Sequence, residues 1–531
     1  MSRRTLDTSR LVVFGDSLSD NGNLLRLLGQ LRPPFSEPPY FDGRFSNGPT
    51  YAEQLAQWLN VPLQDLAFGL ASARDVTPPQ IGQPLPINLP EQVAGYLAGL
   101  NGKQAPDDTT AVIYIGSNDY VNYVESNLPK DLPTAEGIVG NVIASIGQAI
   151  GELSAAGVEK IALFTLPDFA FLPEVQALGP LAGLAEQLDE FNNAGLRLLT
   201  ASNPNVELVD IFKLSDTVAA DPLAFGLSDM TVPLIDLVAS NSTEFAPNEV
   251  GLTDSAHPTF AGHGIQAAFA DATLSSDRTL FLDGTQSVVH AEKGSNFIFA
   301  TPIDPTNPSL DDNYMIYGGS GSDLIFAGSG NVTVHGGSGT ELIDAGSGNA
   351  KLFAGDGTDL LATNSLGANL LVGGDGNDAL IANRGGTNTI LGGDGNDLIV
   401  LKESASLVDP GGSFSFGTQT IAGGDGRDTL RFIINDQIPG AEQALMAEFH
   451  QVQAAFDASV AAHHPGTFQV DGLDVTGIDQ LQLQVDSVST DPATPYLITQ
   501  NIVASDGHGA AVSDKLDNLL TTASHWGLLT V

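Results

Sequence analysis

The chain has 531 residues, too many for one ordinary hydrophobic core, and its 42% apolar content is enough to build several. Its 63 acidic and 20 basic residues leave a net charge of −43, which argues against nucleic acid and anionic membrane surfaces as partners and suits divalent cations. With no cysteine, disulfides and cysteine-ligated metals are excluded.

The N-terminus, MSRRTLDTSR, carries basic residues with no apolar run behind them, so it does not read as a cleavable signal peptide. No run reaches membrane-spanning length, and export would need a route that ignores the N-terminus. Residues 8–275 alternate apolar strand-like runs with helical patterns, the mark of an α/β domain. In residues 11–23, LVVFGDSLSDNGN, four apolar residues read as a buried strand and Gly15 as a sharp turn. Ser17 then stands at a strand's carboxyl end beside a helix start, where open α/β sheets bind ligands.

Residues 32–49 are too rich in proline for regular structure. Their aromatics, Phe35, Tyr40, Phe41 and Phe45, are read either as a wall for an apolar substrate or as anchors pinning a loop to the surface. A helix is predicted over 50–59. The loop 65–73, DLAFGLASA, follows a short strand and offers a backbone N–H at Gly69 or Leu70. Residues 111–115 read as another buried strand, and the GSND after it places Asn118 where its amide can donate to a developing oxyanion without adding negative charge. Helices are predicted over 137–156 and 181–200, and strands over 160–166 and 206–211. In DSAHPT, Asp254 precedes His257 by three residues, so one tight turn can bring the carboxylate to the ring's Nδ1 and leave Nε2 free as a base. The domain's other histidine, His263, has no nearby carboxylate and reads as a helix residue. The chain contains no GxSxG pentapeptide, which disfavours the nucleophile-elbow type of hydrolase.

In order, Ser17, the Gly69–Leu70 loop, Asn118 and the Asp254/His257 pair resemble the four blocks of the GDSL, or SGNH, hydrolase family. That resemblance implies a three-layer α/β/α, flavodoxin-like domain. It makes Ser17 a nucleophile served by His257 and Asp254, and it builds an oxyanion hole from Ser17, Gly69 and Asn118. The second block departs from the family pattern, which has Asn at the place of Asp65 and two adjacent glycines at 69 and 70. Either N–H is available there, and Gly69 is the one expected.

Beyond a predicted connector over 276–315, a nine-residue period begins: GGSGSDLIF, AGSGNVTVH, GGSGTELID, AGSGNAKLF, and later GGDGNDALI, GGDGNDLIV and GGDGRDTLR. Glycines make tight turns, and the apolar residues after them form very short strands that stack into a parallel β-roll. Acidic residues occupy alternate copies, at Asp323, Glu341, Asp359, Asp378, Asp397 and Asp428. The intervening copies carry Val332, Ala350, Asn369 and Asn388. Two repeats per coil therefore make one edge acidic, and calcium is expected on that edge alone. The period resembles the RTX nonapeptide, which implies calcium as a structural ion in the roll, over 316–432. From 433 to 531 a helix is expected at 441–461 and a strand at 478–485, with a type I secretion signal by the RTX resemblance. The final WGLLTV reads equally as a capping strand. His463–His464 has no further ligand at metal-site spacing, so zinc is not expected there.

The expectation is thus an α/β hydrolase domain followed by a parallel β-roll RTX domain. Its function is that of a secreted, calcium-binding serine esterase or lipase needing no cofactor for the ester chemistry. Its partners are an acyl-ester substrate and the type I secretion apparatus, with no nucleic acid, and the molecule is a monomer. Two other readings stay open: an acyltransferase working through the same acyl-enzyme, and a non-catalytic RTX surface protein.

Overall fold

The computed structural model describes residues 8–29, 39–77, 86–225, 227, 229–240, 250–291, 293–301, 313–402, 417–435, 441–462, 466–470, 472–488 and 497–504. The chain forms two compact units, one holding residues 5–222 and 227–275, the other dominated by residues 276–531.

In the first unit the apolar runs become five strands: β1 (Arg10–Gly15), β2 (Leu63–Asp65), β3 (Thr109–Tyr114), β4 (Lys160–Phe164) and β5 (Val206–Val209). They lie in the order β2-β1-β3-β4-β5, parallel throughout. Leu11–Phe14, Val112, Ile113 and Ile161–Leu163 are fully buried, as strands covered on both faces must be. The helices are α1 (Asn23–Leu28), α2 (Tyr51–Leu59), α3 (Leu89–Gly99), α4 (Ser117–Glu125), α5 (Leu132–Ala155), α6 (Pro173–Gln176), α7 (Ala182–Ser202), α8 (Ile211–Ala220), α9 (Leu234–Ser240) and α10 (Phe260–Ser275). α2 packs with α10, while α3 and α7 pack with α5, which gives the expected helical layers around the sheet. By length and composition α5 is the one described helix able to cross a membrane, contrary to the expectation of no such run. Its face of Val139, Val142, Ile146, Ile150 and Leu153 is buried inside the unit instead. α5 begins five residues before the predicted 137 because Asp131 accepts the Thr134 N–H as its N-cap and a proline occupies its first turn. Strand order reverses direction between β1 and β3, and in such sheets the crevice beyond those two strands is the ligand site.

The second unit is a roll of two long sheets. Leu324–Phe326, Leu342–Asp344, Leu360–Thr363, Ala379–Asn383, Leu398–Lys402 and Thr429–Asn435 stack in parallel in one sheet. Met315–Gly321, Val332–Gly339, Ala350–Gly357, Ala368–Gly376, Thr387–Asp394 and Gln419–Asp425 stack likewise in the other. Inward residues from both, such as Ile316, Val334, Leu352, Ile325, Ile343 and Leu361, form one buried core. The glycines are needed where coils touch: Gly376 has φ +142°, and a Cβ there would collide with the carbonyl oxygen of Gly357 one coil below.

The roll is longer than the repeats. The predicted connector over 276–315 is not one: Arg278–Leu282, Val288–His290 and Asn296–Ala300 are the first rungs of the two sheets. At the other end Leu473–Thr476 and Gln480–Val488 continue them beyond 432. These rungs lack the glycine-rich turn, so the nine-residue period does not reveal them, yet they supply the same inward apolar residues. The helix expected at 441–461 is α11 (Ala441–Ala461), which lays Phe449, Val452 and Phe456 on the roll core. His463–His464, Phe35 and the terminal WGLLTV, with the secretion signal expected near it, lie outside the described residues.

Candidate active site and acidic ladder

β1 ends in Gly15, whose Cβ would sit 2.7 Å from the Tyr114 carbonyl oxygen of β3, so only glycine lets the chain turn this close to its neighbour. Gln92 of α3 clamps the turn. Its Oε1 accepts the Gly15 N–H at 2.9 Å, and its amide donates to the Gly15 carbonyl at 2.8 Å. Ser17 follows. Its Oγ lies 2.8 Å from His257 Nε2, and His257 Nδ1 lies 2.8 and 2.9 Å from the two carboxylate oxygens of Asp254. Two residues 240 positions apart thus meet at the sheet's switch point. The DSAHPT turn is local, with the Ala256 and His257 N–H groups donating to Asp254 Oδ1 at 3.0 and 2.9 Å.

Electrostatics fit this chain of hydrogen bonds. Burial alone would push the His257 ring down, but the charge and hydrogen bond of Asp254, with Glu174 and Asp16 beyond it, raise it above the ordinary value. Burial works against ionised Asp254, yet the imidazolium and its donors hold the carboxyl well below the usual range. Asp16, buried beside Ser17, is pushed up to about 7 by desolvation, relieved in part by the Leu18 N–H. His263 stands apart: it is buried in α10 and pushed down to about 3 by desolvation, consistent with a helix residue outside the chemistry.

Asn118 sits at the start of α4, directly after β3, and lines the same cavity as Ser17 and His257. One of its amide hydrogens goes to the Ala71 carbonyl at 2.8 Å, which leaves the other for a ligand. The Gly69 expectation does not hold, because its N–H donates to Asp20 Oδ2 at 2.7 Å and is not available. Asp20 also takes the Gly22 and Leu24 N–H groups at 2.8 and 3.1 Å, so it ties the first turn of α1 to the 66–70 loop. Leu70 lines the cavity instead, and it holds φ +67°, a left-handed conformation unusual for a branched side chain. A glycine would adopt that backbone freely.

The cavity, about 250 Å³, is walled by Val121, Val124, Phe169, Leu172, Val175 and Leu178 from α4 and the 167–178 segment. Of the predicted aromatic wall only Phe45 lines it among the described residues, with its ring 5.0 Å from that of His257. Tyr40 instead donates its hydroxyl to Asp254 Oδ2 at 2.8 Å. No motif signals that contact, since a tyrosine in a proline-rich loop gives no hint of a partner 214 positions away.

In the roll, Asp323, Glu341, Asp359, Asp378, Asp397 and Asp428 are all buried along one edge. From Glu341 onward each rung donates its N–H to one carboxylate oxygen of the next: Glu341 to Asp359 at 2.8 Å, then Asp359 to Asp378, Asp378 to Asp397 and Asp397 to Asp428, each at 2.9 Å. The second oxygen of each Asp, and both of Glu341, is buried with no donor. Desolvation, and then the neighbouring carboxylates, push Asp378 up to about 8 and Asp397 to about 7. A buried row of anionic oxygens without donors fits a hard divalent cation. No three His, Asp or Glu side chains converge among the described residues, so backbone carbonyls would have to complete each cation's shell. On the opposite edge buried amides satisfy one another. Asn369 donates to Asn388 at 2.8 Å, and Asn388 to Gln419 at 2.7 Å.

Comparison with known proteins adds to this geometry. Residues 11–269 match the family model GDSL-like Lipase/Acylhydrolase, and residues 317–352, 335–365 and 384–401 match the RTX calcium-binding nonapeptide repeat. The chain is similar to "Thermolabile hemolysin" of Vibrio parahaemolyticus, at 28% identity over 244 residues, covering 45% of this chain and 54% of that one. It is similar to "Phosphatidylcholine-sterol acyltransferase" of Aeromonas hydrophila, at 31% over 226 residues, covering 42% and 64%. It also resembles "Inactive GDSL esterase/lipase-like protein 25" of Arabidopsis thaliana, at 30% over 186 residues, covering 31% and 43%. The chain therefore spans between 43% and 64% of the length of these relatives.

Proposed function

From a chain that carries a GDSL-type lipase/acylhydrolase domain followed by RTX calcium-binding repeats, we propose an extracellular serine hydrolase of carboxylic esters. The observation that carries this reading is the unbroken run of hydrogen bonds from Ser17 through His257 to Asp254. His257 Nε2 takes the Ser17 proton as Oγ adds to the ester carbonyl. The Asp254 carboxylate steadies the imidazolium that forms. The oxyanion is received by the backbone N–H groups of Ser17 and Leu70 and by the Asn118 amide. His257 then protonates the departing alcohol, and the same residues in reverse activate water against the acyl-enzyme. The apolar cavity beside Ser17 suits an aliphatic acyl chain.

An alcohol in place of water would make the enzyme an acyltransferase, a reading favoured by the acyltransferase among its relatives. The repeats and the hemolysin-like relative support an extracellular place of work. We assign calcium to the acidic edge, where Asp323, Glu341, Asp359, Asp378, Asp397 and Asp428 would hold it as a structural ion. The deciding experiment is a panel of p-nitrophenyl esters of rising chain length and a phospholipid, with and without an acceptor alcohol, on wild type and Ser17→Ala. Hydrolysis lost in the variant supports the reading, and equal hydrolysis by both rejects it.

Asn118→Ala is expected to lower kcat by roughly 10²–10³ with little change in KM, since one oxyanion donor acts mainly in the transition state. Steady-state kinetics on the best ester checks it. A raised KM at unchanged kcat would make Asn118 a substrate binder.

A further inference from the structure

Asp254 is fixed asymmetrically. Its Oδ1 takes the two N–H groups of its own turn, from Ala256 and His257. Apart from the His257 ring, the donor at Oδ2 is the Tyr40 hydroxyl, at 2.8 Å. A carboxylate held through one oxygen can turn about its last torsion, and the second donor stops that. Tyr40 itself is partly buried, in a segment that also sets the Phe45 ring beside His257. We propose that Tyr40 is a positioning residue of the triad, its hydroxyl orienting the Asp254 carboxylate so that both oxygens face His257. This rests on the Ser17–His257–Asp254 reading above.

The arrangement also tunes the base. His257 is faced by Asp254 from its own turn, by Glu174 of α6 and by Asp16 of the β1 turn, and all three carboxylates favour its protonated form. Asp254 in turn has Glu174 near it, while Tyr40 draws on its charge. A hydroxyl donated to Asp254 disperses negative charge that would otherwise stabilise the imidazolium. Removing it therefore makes His257 hold its proton more tightly. A base raised in this way is lost at a higher pH, so the acid limb of the rate profile moves up.

The test is the pH profile of kcat/KM for Tyr40→Phe in the full chain, beside wild type and Ser17→Ala. The acid limb is expected to rise by about half a unit, and the plateau rate to fall about tenfold, the scale of one hydrogen bond to a charged group. Tyr40→Phe keeps the ring, so a residue that merely anchors its loop would leave the limb where it is. Site-specific replacement of Tyr40 by 3-fluorotyrosine keeps shape and strengthens the donor, and its acid limb is expected to move down. An unmoved limb in both variants overturns the proposal, even if the plateau falls. The two readings fail separately. Activity surviving in Ser17→Ala rejects the triad, whereas an inactive Ser17→Ala with a wild-type limb in both Tyr40 variants rejects only the role of Tyr40.

Discussion

Ser17→Ala is expected to lower ester turnover by on the order of 10³ or more while leaving the fold intact. The side chain is short and sits in the cavity wall, so removing one oxygen opens little space and breaks one hydrogen bond, to His257. The acyl-enzyme cannot form without it. What remains is the oxyanion donors and binding, which act on a water that His257 was not placed to activate. His257→Ala is expected to match it, because among the described residues His257 is the base hydrogen-bonded to Ser17 Oγ. His263 is buried in α10 and held neutral by desolvation, so His263→Gln is expected to keep most activity. Initial rates on the preferred ester check all three. A Ser17→Ala enzyme with a tenth of wild-type activity would defeat the assignment. The wild-type rate is also expected to rise with pH through a His257 ionisation above its ordinary 6.5, since only the neutral ring accepts the proton.

Chelation is expected to unfold the central repeats and leave the hydrolase unit folded. The row Asp323, Glu341, Asp359, Asp378, Asp397 and Asp428 places buried like charges on successive rungs, each with an oxygen lacking a donor. Against them stand strands as short as Leu324–Phe326 and Leu342–Asp344, and turns rich in glycine, whose ordering entropy is the largest of any residue. Metal binding supplies the missing folding free energy, with affinity on the order of 10⁻⁴–10⁻³ M as in other extracellular calcium modules. The amide ladder of Asn369, Asn388 and Gln419 needs no ion, so both edges close once the acidic one is neutralised. Hydrogen exchange of the full chain in chelator and in millimolar calcium tests this. Peptides from residues 315–435 should gain protection with calcium, while those from β1, β3 and β4 stay protected in both. Equal protection of the repeats in excess chelator would reject it. Asp378→Ala and Asp397→Ala should each raise the calcium concentration at the midpoint.

Short-range chemistry was readable in the chain, and long-range chemistry was not. Asp254 and His257 are three residues apart and meet in one turn, so their pairing could be read locally. Ser17 and Asn118 follow buried strands, and the apolar runs before them place both at strand ends. Gly69 and Leu70 could not be told apart, because the answer lies in Asp20, which takes one N–H from across a loop. Tyr40 reaches Asp254 through tertiary packing that no pattern encodes. The repeat period marked the centre of the roll and missed its ends, since Arg278–Leu282 and Gln480–Val488 join the sheets through inward apolar residues without the glycine-rich turn. The Asn388 copy looked like a mere absence of acid. Its amide, paired to Asn369 and Gln419, satisfies the opposite buried edge without an ion.

The central claim is that Ser17 forms the acyl-enzyme with His257 as its base. Intact-mass and peptide mapping of the calcium-loaded protein after reaction with a fluorophosphonate ester test it most directly. One adduct on the peptide containing Ser17, formed in step with loss of esterase activity and absent from Ser17→Ala, is the result expected. An adduct on another residue, or esterase activity that persists when Ser17 is fully labelled, would contradict it.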